Sequence, residues 1–373
     1  MHVYLVTIIS SLMLFFLCSP RRKRKDIAVR SHLKKRLTIR RTAIGVALAA
    51  FPPMIVAAVR YKVGTDYVAT YYTGFYRILN GSTVDGFEFG YYWFNRLIQV
   101  FTDNVFVLFA ITAVIFVAVS FAAIYEESYN VPLSILLFFV TRYYFVGMNI
   151  VRQFIAAAIL VYSIRYVLHH DLKKYIVCII LAFSMHYTSI IFLPVYFLPR
   201  LKISGKRLIT LIIGELAIFS FGVGWFISFL QDTKYGRLIA RHDVCGIKFT
   251  IFTIAVNIVI LFVGYCGYKE RKNDERYRLY LNIQVMAVLI TLVFRAIPLM
   301  ERVYWYFSFP CIITIPYLFL SVKKKSYRLL VTAIVIAVFI TYMFYDIVIL
   351  GDHDALPYQW IFGKSPVHDS GWQ

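Results

Sequence analysis

"MHVYLVTIISSLMLFFLCSPRRKRK", residues 1–25, sets an unbroken apolar run against five consecutive basic residues. A bilayer core about 30 Å thick takes roughly 20 apolar residues in helical form, and this stretch supplies them. Its charge follows the apolar run instead of preceding it, and a small-residue cleavage site is lacking, so the segment reads as a retained helix and not a signal peptide. The alternation recurs along all 373 residues, which are 60% hydrophobic with a mean hydropathy of +0.70. Apolar stretches of roughly 18 to 24 residues alternate with short bursts of charge. The expected fold is therefore all-α, a polytopic integral membrane helical bundle of 10–11 transmembrane spans in a single domain over 1–373.

Working outward from that stretch, spans fall near 2–19, 42–59, 104–124, 131–148, 150–168, 208–230, 249–267, 283–300, 303–321 and 329–350. Segment 21–41 carries eleven basic residues against one acid, which makes the loop 20–41 cytoplasmic and the N-terminus external. Basic loops at 169–174, 200–207, 269–278 and 323–328 are expected on the same side. Only one apolar run, 175–198, lies between two of them. Either it dips in and returns as a re-entrant hairpin, with "SMHYTS" at 184–189 as its turn, or it crosses and one basic loop lies on the wrong side. The outer surface is then built from the loop 60–103, the junction 142–153, the loop 231–248, the turn 295–302 and the tail 351–373.

The net charge of +21 sits largely in the inter-helix loops, where the positive-inside rule accounts for it without nucleic acid as partner. Of the cysteines, Cys18, Cys178, Cys266 and Cys311 lie in or beside apolar segments and Cys245 in a loop, which offers neither a disulfide framework nor a metal site. Asn80 opens a glycosylation sequon that matters only in a eukaryotic secretory pathway. Phosphate loops, dinucleotide fingerprints and nucleophile elbows are all lacking, so no cofactor and no metal are expected.

Four clusters carry chemistry. In "NIVRQFIAAAILVYS", 149–163, Asn149, Arg152, Gln153 and Ala156 follow a helical i, i+3, i+4, i+7 spacing, so three polar side chains share a face with a small-residue patch. A lone arginine at a helix end can simply snorkel, but a snorkelling anchor needs no amide companions. In "FRAIPLMERVYWYFSFP", 294–310, Arg295, Glu301 and Arg302 gather around Pro298, with Tyr304 behind them; an aromatic belt with basic anchors is the bland alternative. In the outer loop, Arg60 and Asp66 follow the second span. A helix over 66–78 would align Asp66, Thr70, Thr73 and Arg77 on one face amid Tyr67 and other rings, and Glu88 and Arg96 follow. Aromatic rings beside carboxylates and amides bind sugars, though a membrane-lying loop with satisfied charges explains them too. Finally, His186 stands in an apolar run, a buried histidine or a general base.

The series "VGTDYVATY", "FEFGYYWFNRLI", "NIVRQFIAAAI", "SMHYTSIIFLPVY", "ERVYWYFSFP" and "LPYQWIF" resembles the EpsG family, which is similar to the Wzy-type O-antigen and exopolysaccharide polymerases. The resemblance covers about 60–362; the basic segment 21–41 is not part of its pattern. It implies a glycosyltransferase of the bacterial cytoplasmic membrane, taking an undecaprenyl-diphosphate-linked oligosaccharide on the outer face, with a chain-length regulator and a flippase as expected partners besides membrane lipid. On that reading Arg152, Arg295 and Arg302 hold the diphosphate, whose charge develops as it leaves. Gln153, Asn149, Arg60, Arg77, Tyr67 and Tyr304 bind substrate, and the base that takes the acceptor proton is His186, ahead of Asp66, Glu88 and Glu301. A lipid-linked oligosaccharide transporter and an O-antigen ligase remain as rivals, although matched internal repeats of the transporter kind are not seen.

Overall fold

The computed structural model describes residues 1–19, 32–214, 228, 247–294 and 300–365. Helix is the rule, and among the described residues strand pairing is limited to an isolated bridge between Arg60 and Trp360. The helices that matter are α1 (His2–Cys18), α2 (His32–Ala58), α3 (Thr73–Leu79), α4 (Phe89–Gln99), α5 (Val105–Glu127), α6 (Val131–Val140), α7 (Tyr143–Asn149), α8 (Val151–Leu168) and α9 (Leu172–Met185). After a 3₁₀ segment, Tyr187–Arg200, come α10 (205–214), α11 (Ile247–Cys266), α12 (Glu275–Phe294), α13 (Met300–Ser308), α14 (Cys311–Leu318) and α15 (Lys325–Phe344).

The sequence counts ten spans. Among the described residues three helices are long and apolar enough to cross, Val105–Glu127, Val151–Leu168 and Lys325–Ile349, or up to five if each of two bent pairs is one span. The first pair is α6 with α7, bent by 52°. Its break falls at Arg142, whose φ of 73° is left-handed and cannot continue a helix. The second, Arg302–Ser308 with Cys311–Ser321, bends by 41° just before Pro310 lends its fixed φ to the start of α14. The runs 2–19, 42–59 and 249–267 hold shorter apolar helices, and the expected spans 208–230 and 283–300 lie partly outside the described residues.

Two compact units form. Residues Met1–Tyr162, Ile180–Tyr187 and Ile336–Gln373 make the first, Ser163–Ile179 and Thr188–Val335 the second. In the first, α2 carries Pro52 and Pro53 in its interior. Pro53 has no N–H to offer the carbonyl of Ala49, and an orphaned carbonyl in a lipid-facing bundle is costly. The Ser11 hydroxyl of α1 donates to that carbonyl at 2.6 Å, and small buried residues, Ala49 and Ala50, let the two helices approach. The tail returns to the same place: Tyr61 N–H donates to the Gln359 carbonyl at 2.9 Å, Ile361 N–H to the Val59 carbonyl at 2.9 Å, and the Tyr4 hydroxyl to the Ala355 carbonyl at 2.8 Å.

The run 175–198 folds back on itself. In the second unit the Tyr175 hydroxyl donates to the Phe192 carbonyl at 2.6 Å, and the Tyr175 and Tyr196 rings lie 5.3 Å apart. A continuous helix would separate residues 175 and 192 by about 25 Å. The returning arm buries Ser189, Phe192, Val195 and Leu198, a period of three that suits a 3₁₀ helix. The tip, Ile180–Tyr187, belongs to the first unit and there presents His186.

Candidate active site

The site in the first unit is assembled from three separate stretches. Glu88 is the N-cap residue of α4, in extended conformation, yet its side chain does not cap the helix. It turns instead to Arg152 and His186. One carboxylate oxygen, Oε2, forms an ion pair with Arg152 Nη1; the other, Oε1, lies 2.6 Å from His186 Nδ1. All three side chains are withdrawn from solvent, with 5%, 17% and 11% of their surface left for Glu88, Arg152 and His186.

Each has its own support. Arg152 lies in the first turn of α8, where backbone N–H groups lack helical partners, and its own N–H donates to the Tyr71 hydroxyl at 3.5 Å. Its guanidinium donates to the Gly86 carbonyl and lies over the Phe87 and Tyr91 rings at 4.8 and 5.7 Å, a stacking that suits a planar guanidinium. The tip of the hairpin is set against α4 at Gly90, where a Cβ would lie 2.7 Å from the Ser184 carbonyl oxygen. The Tyr187 hydroxyl accepts from the Phe89 N–H at 3.3 Å.

The electrostatics follow. Burial pushes the Glu88 carboxyl up, but the hydrogen bond from His186 and the positive charge of Arg152 outweigh it, so Glu88 is held below the usual glutamate range. An ionised carboxylate only accepts, hence His186 Nδ1 carries a proton, and in the neutral ring Nε2 holds the lone pair. An acid that orients an imidazole and a guanidinium at once can prepare a base and hold an anion side by side.

Other expected residues lie elsewhere. Asn149 does not share the Arg152 helix face, because the backbone breaks at Ile150 (ψ 62°) between α7 and α8. Its Oδ1 accepts from Thr65 Oγ1 at 3.0 Å and from the Asp66 N–H at 2.9 Å, while Nδ2 meets His353 Nδ1 at 3.0 Å. Gln153 is fully buried. Arg60 is also buried, donating to the Ala57 and Met148 carbonyls with its guanidinium 5.1 Å from the Phe109 ring, on which Tyr67 stacks. A π-helical turn, Tyr67–Tyr72, precedes α3, so the regular 66–78 helix and its aligned face do not form; Arg77 is exposed and Asp66 half-buried.

In the second unit, Tyr304 is buried and accepts from Asn257 Nδ2 at 2.9 Å, and Arg302 opens α13 half-buried. Arg295 and the Glu301 side chain lie outside the described residues.

Sequence reasoning passed over a second polar cluster. Arg142 and Asp346 form a buried ion pair, Arg142 lies 4.3 Å from the Tyr342 ring, and Asp346, Asp352 and His353 offer ligand atoms within 4.8 Å of one another. The signal was available: Arg142 and Asp346 are single charges of opposite sign inside apolar runs, which favour pairing.

Apolar helices, some of them broken, with buried arginines and an acid that joins arginine to histidine define a helical membrane protein. The sequence profile of the EpsG family matches residues 44–360. The chain belongs to the EpsG family, the Wzy-type polymerase-like family. No curated protein and no solved structure matches it.

Proposed function

We propose that the protein polymerises undecaprenyl-diphosphate-linked oligosaccharide repeat units at the outer face of the bacterial cytoplasmic membrane. The observation that carries this reading is the Glu88 carboxylate shared between Arg152 and His186. His186 Nε2 takes the proton of the acceptor sugar hydroxyl as its oxygen attacks the anomeric carbon of the growing chain. The bond from that carbon to the diphosphate oxygen breaks, and lipid diphosphate leaves with the electron pair. Arg152 meets the developing charge: its bonds to Glu88 and Gly86 both engage Nη1, and Nη2 is the nitrogen that would donate to a phosphate oxygen. Glu88 holds the imidazole tautomer and stabilises the imidazolium that forms, as a positioning residue. By resemblance alone Arg302 and Arg295 are further proposed diphosphate-binding residues, and a chain-length regulator and a flippase are proposed partners.

Deleting the gene in its host tests this. Cells should lose long surface glycan and accumulate lipid carrying a single repeat. Wild type supplied in trans should restore long glycan, and His186→Gln at equal abundance should not. Loss of all repeats from the outer face, with the lipid-linked repeat trapped inside, would mark a transporter instead.

A further inference from the structure

The second polar cluster fixes one proton without ambiguity. Asn149 Oδ1 accepts from Thr65 Oγ1 and from the Asp66 N–H, both donors, so the amide cannot be turned around. Its Nδ2 therefore faces His353 Nδ1 at 3.0 Å and can only donate to it. His353 Nδ1 is thus an acceptor, and the neutral ring carries its proton on Nε2. Burial pushes the His353 imidazole below its usual range despite the raising influence of Asp352, which agrees with a neutral ring.

Nε2–H is buried and, among the described residues, meets no acceptor. A metal ion needs a lone pair at that nitrogen, and the fixed tautomer has none there. A phosphate would meet the Asp352 carboxylate at the mouth, whereas Asp346 is already engaged by Arg142. Asp352 Oδ2 stands 4.0 Å from Nε2, too far for a direct bond, and its side chain is 51% exposed while that of His353 is 11% exposed. A hydroxyl oxygen at about 2.9 Å from Nε2 and about 2.7 Å from Oδ2 fills that gap with an angle near 90° at the oxygen, accepting from one and donating to the other. A neutral group that both accepts and donates there is a hydroxyl, of water or of an alcohol that displaces it.

We propose that His353 and Asp352 form a subsite for one hydroxyl of a neutral sugar residue in the glycan. The identity of the alcohol as a sugar rests on the polymerase reading above; the donor and acceptor geometry does not.

The test uses the full-length protein in detergent and, as probe, the soluble oligosaccharide released by mild acid from the host's surface glycan, which carries neither lipid nor diphosphate. Saturation-transfer NMR titration should show binding to wild type. His353→Phe should weaken it about tenfold or more, and His353→Gln, which keeps an N–H donor, should stay within about threefold of wild type. Asp352→Asn, at a half-exposed position, should weaken binding about fivefold. Equal binding by wild type and both damaging variants overturns the proposal, as does no binding to wild type. So does thermal stabilisation by millimolar Mn²⁺ or Ca²⁺ that disappears in Asp352→Asn, which would make the cluster a cation site. Oligosaccharide binding without polymer synthesis would sink the polymerase reading alone.

Discussion

At the scale of single residues, Glu88 is the hinge of the account. Its partners lie 64 and 98 positions away in sequence. Arg152 and His186 were legible by themselves, because an ionisable group in an apolar run announces a role. That Glu88 joins them was not, since no local period links a loop carboxylate to a helix start and a hairpin tip. Glu88→Gln keeps an acceptor for His186 Nδ1–H and removes the charge, so turnover should fall while the protein still folds, read as polymer formed per unit of protein. The pH dependence has a definite sign. The folded state favours the ionised form of Glu88, so the unfolded chain binds more protons. This stabilisation is complete above the ordinary glutamate range, near 4.3, and is lost as pH falls through the lower folded value. Thermal unfolding between about pH 3 and 6 should show a shallower acid limb for Glu88→Gln; an unchanged limb would mean the carboxylate is not held ionised.

At the scale of elements, two contacts decide whether the parts meet. Ser11 answers the carbonyl that Pro53 orphans, and Ser11→Ala should cost about 1 kcal/mol, seen as a lower unfolding midpoint in detergent, with Ser11→Thr milder. Gly90 leaves room for the hairpin tip, and Gly90→Leu should separate His186 from Glu88 and abolish turnover with little loss of secondary structure by circular dichroism. The exposed side chains Phe89, Trp93 and Leu97 of α4 recur at i, i+4, i+8, the apolar face of an interfacial helix. The fold-back of 175–198 was foreshadowed by charge, since two basic loops flank one apolar run. The break at Ile150 falls at the expected boundary between spans 131–148 and 150–168, but the i, i+3, i+4 spacing carried Asn149 into the following helix; the pull of Asn149 toward Thr65, Asp66 and His353 places it outside. The π turn after Asp66 was hidden for the same reason, as periodicity cannot distinguish an added backbone residue per turn.

At the scale of the whole molecule, apolar runs and basic loops conveyed the class of fold but not the bends inside two of the spans, because hydropathy measures length of apolar sequence and not straightness of helix. The breaks border the polar clusters: α7 ends at Asn149 and α8 begins one residue before Arg152. Arg142 and Asp346, 204 residues apart, tie the bend between α6 and α7 to the last span. Removing one partner strands a buried charge, so Arg142→Ala should destabilise by about 3–5 kcal/mol, while Arg142→Met with Asp346→Leu should recover most of it. The most direct measurement of the central claim is made on purified protein given the lipid-diphosphate-linked repeat unit of its host and no nucleotide. Products are resolved on a gel for wild type, Arg152→Ala and His186→Gln in matched amounts. Wild type should give a ladder of longer glycans, reduced about 10²-fold or more in either variant. A ladder of equal intensity from His186→Gln and Arg152→Ala would contradict the claim.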